Sequence, residues 1–133
     1  MEPALQNSLF LDLASSRRVL GRALIRLQGA WNFTNAEMAN LIRVKPNTYG
    51  HWVKKKEVPF QRPPYSAESE IMIALLSIFR SLGAMFVSSS DQILWLKTPH
   101  PRFGESPLEF ARHSSENLFY LKQYLDHVRG RGA

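Results

Sequence analysis

A chain of 133 residues with a formal charge of +6 has room for one domain with a real core, or for two small helical modules sharing an interface, and for nothing larger. The absence of cysteine excludes disulfide frameworks and thiolate zinc sites and makes a reducing cytoplasm the expected location. The charge is one-sided: residues 1–65 hold ten Lys and Arg against four Asp and Glu, whereas residues 66–133 hold seven against seven, the pattern expected if the first half meets polyphosphate.

The early apolar stretch SLFLDLA is short, is interrupted by Asp12 and lacks a preceding basic region, so it does not read as a secretory signal. The longest apolar run, IMIALLSIF, is about half of the length needed to cross a bilayer, and no membrane association is expected. Helical periodicity dominates and nothing alternates as a strand does, which predicts an all-α protein. The first helix is expected from Ser15 to Trp31, with Leu20, Leu24, Leu27 and Trp31 on one stripe and Arg18, Arg22 and Arg26 opposite at 100° per residue. That ridge is either a solvated face or a phosphate contact. Thr34, Asn35, Ala36 and Glu37 form a capping-box signature for a second helix ending near Ile42. Pro46 suits the first turn of a third helix, whose Tyr49 and Trp52 should turn inward.

KKKEVPFQRPPY cannot continue a helix past Pro59, so residues 55–66 are expected to link an N-terminal module, 1–58, to a C-terminal one, 59–133. A long helix from Glu68 to Phe86 follows, with Ile71, Leu75, Ile78, Leu82 and Met85 recurring at helical spacing. SSSD offers a cap for a short helix from Asp91 to Lys97, and TPHPRFGE reads as a turn. Ser106, Pro107 and Glu109 give another cap signature. The last helix is expected from Ser115 to Arg129, presenting Leu118, Leu121, Leu125 and Val128, with RGRGA beyond it as a cationic tail.

A helix-turn-helix needs a small residue midway along its first helix and apolar pins between the helices; here these are Ala39, and Met38, Leu41, Ile42, Val44, Tyr49 and Trp52. The spacing resembles the Xre-type helix-turn-helix, with Thr34 capping the scaffold helix and Lys45 opening the recognition helix. That resemblance implies that Pro46, Asn47, Gly50 and His51 face the major groove while Asn35 approaches a phosphate. Asn47 has the groups to pair bidentately with adenine, and His51 can donate to a guanine edge or a phosphate. Lys54, Lys55 and Lys56 would flank the backbone and make affinity salt-dependent. Arg43 stands where the turn usually holds Gly and would have to adopt a left-handed backbone, and Gly50 inside the helix costs roughly 1 kcal/mol against Ala.

The C-terminal half is more distinctive. IMIALLSIFRSLGAMF, ILWLKTPHPRFGESPLEF and LFYLKQYLDHVRGRG, in that order, resemble the toxin-binding domain of the Xre/MbcA/ParS antitoxin family. The chain keeps Trp95, Leu96, Pro99, Phe103, Gly104, Ser106, Pro107, Leu108, Tyr124, Leu125, Asp126, Val128, Arg129 and Gly130 of that pattern; it departs at His100, where the pattern has Asn, and at Glu105, where it has a second Gly. The resemblance implies a bacterial antitoxin that covers the active site of a RES-domain, NAD-degrading toxin and represses its own operon as a homodimer or a larger toxin–antitoxin assembly. The toxin-facing residues would then be Pro99, His100, Phe103, Tyr124, Arg129 and Arg131. The alternative is a stand-alone transcription regulator whose C-terminal half only dimerises. An enzyme is not expected: His51, His100, His113 and His127 are scattered, and no phosphate loop, nucleophile elbow or cofactor motif is present.

Overall fold

The computed structural model describes residues 13–61 and 65–132, with side chains through Gly130. The sequence before Leu13, most of SLFLDLA included, lies outside the described residues, as does the Arg131 side chain. The described residues form seven helices and no strand, the all-α fold that the periodicity requires. No single helix among them is long and apolar enough to cross a membrane.

Helix α1, Leu13–Trp31, begins two residues before the expected Ser15. Leu24, Leu27 and Trp31 are buried and Leu20 half-buried, while Arg18, Arg22 and Arg26 stand exposed on the opposite side. Gly21 sits where the chain leaving the third helix crosses α1: a Cβ there would fall 2.7 Å from Glu57 Cα and from the Lys56 carbonyl oxygen.

Helix α2, Asn35–Ile42, starts with the full capping box: Thr34 Oγ1 accepts from the Glu37 amide at 3.1 Å, and the Glu37 carboxylate accepts from the Thr34 amide at 2.9 Å. It ends at Arg43, which takes the left-handed conformation, φ 70° and ψ 43°. This backbone costs a non-glycine residue roughly 1–2 kcal/mol. The Arg43 amide is satisfied by the Ala39 carbonyl at 2.8 Å, and its guanidinium donates to the Arg112 carbonyl at 3.0 Å, a bond glycine could not make. Helix α3, Pro46–Lys55, buries Tyr49 and Trp52 and ends at a second left-handed residue, Lys56, φ 58°.

The expected linker is tied down over its first part. Val58 is buried, its amide donates to the Arg17 carbonyl at 3.2 Å, Arg17 Nε donates to the Phe60 carbonyl at 3.3 Å, and the Gln61 amide reaches Ser69 Oγ at 3.2 Å. One apolar side chain with somewhere to go, together with backbone groups that find partners, fastens a segment whose composition reads as loop.

Helix α4, Ala67–Met85, is packed on nearly every side: Ile71, Met72, Ala74, Leu75, Ile78 and Leu82 are buried, and so are Ser69, Ser77 and Ser81. Met85, expected on the same stripe, is exposed because the helix stops there and the chain turns away at Phe86. Helix α5, Ser89–Lys97, starts two residues before the expected Asp91, capped by Ser88. Helices α6, Pro107–His113, and α7, Ser115–Gly132, complete the fold.

α4 and α7 make the most extensive helix pair. Leu118, Leu121 and Leu125 fill it, each burial contributing about 1.5–3 kcal/mol. The small Ser77 and Ser81 sit beneath Asp126, which accepts from their hydroxyls at 3.4 and 3.5 Å. The buried apolar residues of both halves form one cluster running from Leu24 to Leu125. Across it, Trp31 Nε1 donates to Gln92 Oε1 at 3.1 Å, a buried hydrogen bond between α1 and α5.

Candidate functional site

Two exposed surfaces collect the candidate residues. On the first, α2 and α3 are joined by the three-residue turn Arg43–Lys45. Tyr49 and Trp52 fix which side of α3 faces in, so Pro46, Asn47, Gly50, His51 and Lys54 share the outer side at 100° per residue. Gly50 is half-buried and the other four are exposed. Lys45 is the residue before the helix, and Lys55 and Lys56 close its far end, exposed and beside the terminal carbonyls whose partial negative charge they complement. None of these lysines has an ion pair among the described residues.

Asn35, in the first turn of α2, comes next to Gly50: a Cβ built on that glycine would lie 3.7 Å from Asn35 Nδ2. Asn35 is held by residues that its own motif does not contain. Tyr49 Oη donates to Gln28 Oε1 at 2.7 Å, and Gln28 Nε2 donates both to the Phe33 carbonyl at 3.0 Å and to Asn35 Oδ1 at 2.8 Å. Burial pushes the Tyr49 hydroxyl up from 10.0 to about 12, so it remains a donor throughout the physiological range. Gln28 is invisible to motif reading because it lies on α1, before the helix pair, and no spacing rule ties it to Asn35.

The second surface is aromatic. Gly104, φ 75°, lets the chain fold back so that the Phe103 and Gly104 amides both reach the His100 carbonyl, at 3.0 and 3.1 Å. His100 also closes the turn with its side chain, Nδ1 accepting from the Arg102 amide at 3.1 Å. An Asn side chain makes the same bond to the amide two residues on, so the substitution at this position keeps the turn. The Glu105 carbonyl accepts from the His100 amide at 3.1 Å.

The His100 ring is packed edge-on to Trp95 and Tyr124, with centroids 5.8 Å away in each case, and lies 5.2 Å from Phe103. Phe103 is buried among Phe110, Tyr120 and Tyr124 at 4.8, 6.2 and 5.4 Å. His100, Phe103 and Tyr124 are thus brought together, with Pro99 exposed at the edge of the same turn. Arg102, Tyr120, Gln123 and His127, none of them expected among the toxin-facing residues, join Tyr124 around a cleft of about 180 Å³. Arg102 lies over the Tyr124 ring, 4.9 Å from its centroid. The recurrence of Tyr at 120 and 124, one helical turn apart, was the available signal.

Arg129 is not part of this cluster. It lies 3.7 Å from Asp126 on the α4 side of α7, and Lys122 Nζ is 2.9 Å from the other oxygen of the same carboxylate. The segment expected as a tail is helical: α7 runs on through Gly130 and Arg131 to Gly132.

Residues 81–131 match the family model described as the antitoxin Xre/MbcA/ParS C-terminal toxin-binding domain. The match takes in the end of α4, the α5 helix, the His100–Glu105 turn, α6 and all but the end of α7, which is the whole aromatic surface. No curated protein matches the chain.

Proposed function

We propose that this chain, whose residues 81–131 carry an antitoxin toxin-binding domain, neutralises a RES-type, NAD-degrading toxin and represses its own operon through α2 and α3. The observation that carries the reading is the coincidence of the family match with an exposed aromatic face. Tyr120 is 44% exposed, and beside it lie Tyr124 with Arg102 stacked over its ring, His100 and Pro99. Aromatic and arginine side chains held rigidly at a surface are what protein interfaces select for, because they bury large area at little conformational cost. Among RES toxins as the class of partner, the support is the ordered run from Trp95 to Gly130 described above.

In this reading Pro99, His100 and Tyr124 form the contact, the buried Phe103 holds their rings from beneath, and Arg129 and Arg131 lie further along α7, outside the aromatic cluster, as a second point of contact. Pro46, Asn47, Gly50 and His51 enter the major groove, with Asn35, Lys45 and Lys54 to Lys56 on the phosphates. Two copies are needed to read two half-sites about one helical turn apart, so the acting species is a bacterial, cytoplasmic homodimer or a larger assembly with toxin.

The test is co-expression with the product of the adjacent gene, scoring co-purification and cellular NAD with and without Arg129 to Ala133. The expected result is a stable complex that preserves NAD, with protection weakened by the truncation. No complex and no effect on NAD would sink the antitoxin reading and leave a stand-alone regulator.

A further inference from the structure

We infer that Gln28, with Tyr49 behind it, is a positioning residue that presents the Asn35 amide to DNA as a hydrogen-bond donor; the inference rests on the DNA-binding reading of α2 and α3. The polarity of both amides is forced. The Phe33 carbonyl oxygen only accepts, so the Gln28 group facing it at 3.0 Å is the nitrogen. Gln28 Oε1 is then turned to Tyr49, whose hydroxyl donates to it at 2.7 Å. The second proton of the same Gln28 nitrogen goes to Asn35, so the Asn35 atom 2.8 Å away is its oxygen. The Asn35 –NH2 is what remains outward. Each amide orientation follows from the one before it, starting from a single backbone carbonyl.

An exposed asparagine ordinarily offers solvent either end of its amide. This one has its oxygen turned to Gln28 and its –NH2 outward, so it suits an anionic oxygen such as a backbone phosphate better than a donor. Gly50 completes the arrangement. It leaves open the side of Asn35 Nδ2 that a methyl group would cover at van der Waals distance, 3.7 Å. A glycine in the interior of α3 thereby acquires a reason beyond packing.

The experiment selects duplexes from a random-sequence pool with the full chain. It then measures affinity for the selected duplex with the wild type, Asn35→Ala, Gln28→Met and the double variant. Loss of one hydrogen bond to a charged acceptor predicts about tenfold weaker binding for each single variant. The double variant should be no weaker than Asn35→Ala. Ethylation of one phosphate should interfere with the wild type and with none of the three variants, a signature that a merely structural role for Gln28 would not move.

Additive losses, or an interference pattern unchanged in Gln28→Met, overturn the inference and leave the DNA reading standing. A wild-type chain that enriches no duplex overturns both. Should Gln28→Met fail to fold, Asn35→Asp serves in its place. It keeps the acceptor for Gln28 but turns an oxygen outward, so it should bind more weakly than Asn35→Ala; binding equal to the wild type overturns the proposal.

Discussion

Gly50 and Tyr49 stand side by side on α3 and face opposite demands. Replacing Gly50 by Ala removes the conformational penalty of a helical glycine and should raise stability by up to roughly 1 kcal/mol, since the new methyl meets its nearest neighbour at an ordinary 3.7 Å. The same methyl covers one side of Asn35 Nδ2 without a clash, so under the DNA-binding reading duplex affinity should fall; thermal melting and DNA titration of one variant check both halves of the expectation. Tyr49→Phe should cost about 1 kcal/mol, the net worth of its buried hydrogen bond to Gln28. Its pH signature has a definite sign. The folded-state value, about 12, lies above the ordinary 10.0, so between these limits the native state holds a proton that the unfolded chain has lost. The contribution is complete below about pH 10 and is lost as pH rises toward 12. Denaturant melts at pH 9 and pH 11 should show this loss in the wild type and a smaller one in Tyr49→Phe.

At the level of elements, the helix starts with a complete cap signature, after Thr34 and Ser106, fall where the sequence places them, because a cap is a local hydrogen bond between residues three apart. Ser106 Oγ accepts from the Glu109 amide at 3.2 Å, as its spacing foretells, and Ser106→Ala should destabilise the protein by about 1 kcal/mol in a melting experiment. Boundaries decided by distant residues were not legible. The segment after Lys56 is fixed by Arg17 and Ser69, and the left-handed Arg43 is held by a carbonyl on α6, neither of which any local pattern announces. The candidate surfaces divide the same way. His100 and Phe103 could be named because they lie in one short motif, and Tyr124 because it lies in another. Arg102 over the Tyr124 ring and Gln28 behind Asn35 depend on how the chain returns on itself.

For the molecule as a whole, the two halves expected as modules share one apolar cluster, and polar bonds cross between them: Trp31 to Gln92, and Arg112 Nε to Asn40 Oδ1 at 3.1 Å. Unfolding should therefore be a single transition, reported alike by tryptophan fluorescence and by helical circular dichroism; two separated transitions would contradict it. Gln92→Leu should lower that one midpoint without splitting it, because it leaves the Trp31 indole N–H buried without a partner, at about 1–3 kcal/mol. A shared core also sets how the protein disappears. A protease that extracts any one helix exposes the whole cluster, so the outer face of α3 and the aromatic surface have one lifetime between them. Neither outlives the other as a fragment, and under the proposed function release of the operon and release of the toxin are one event.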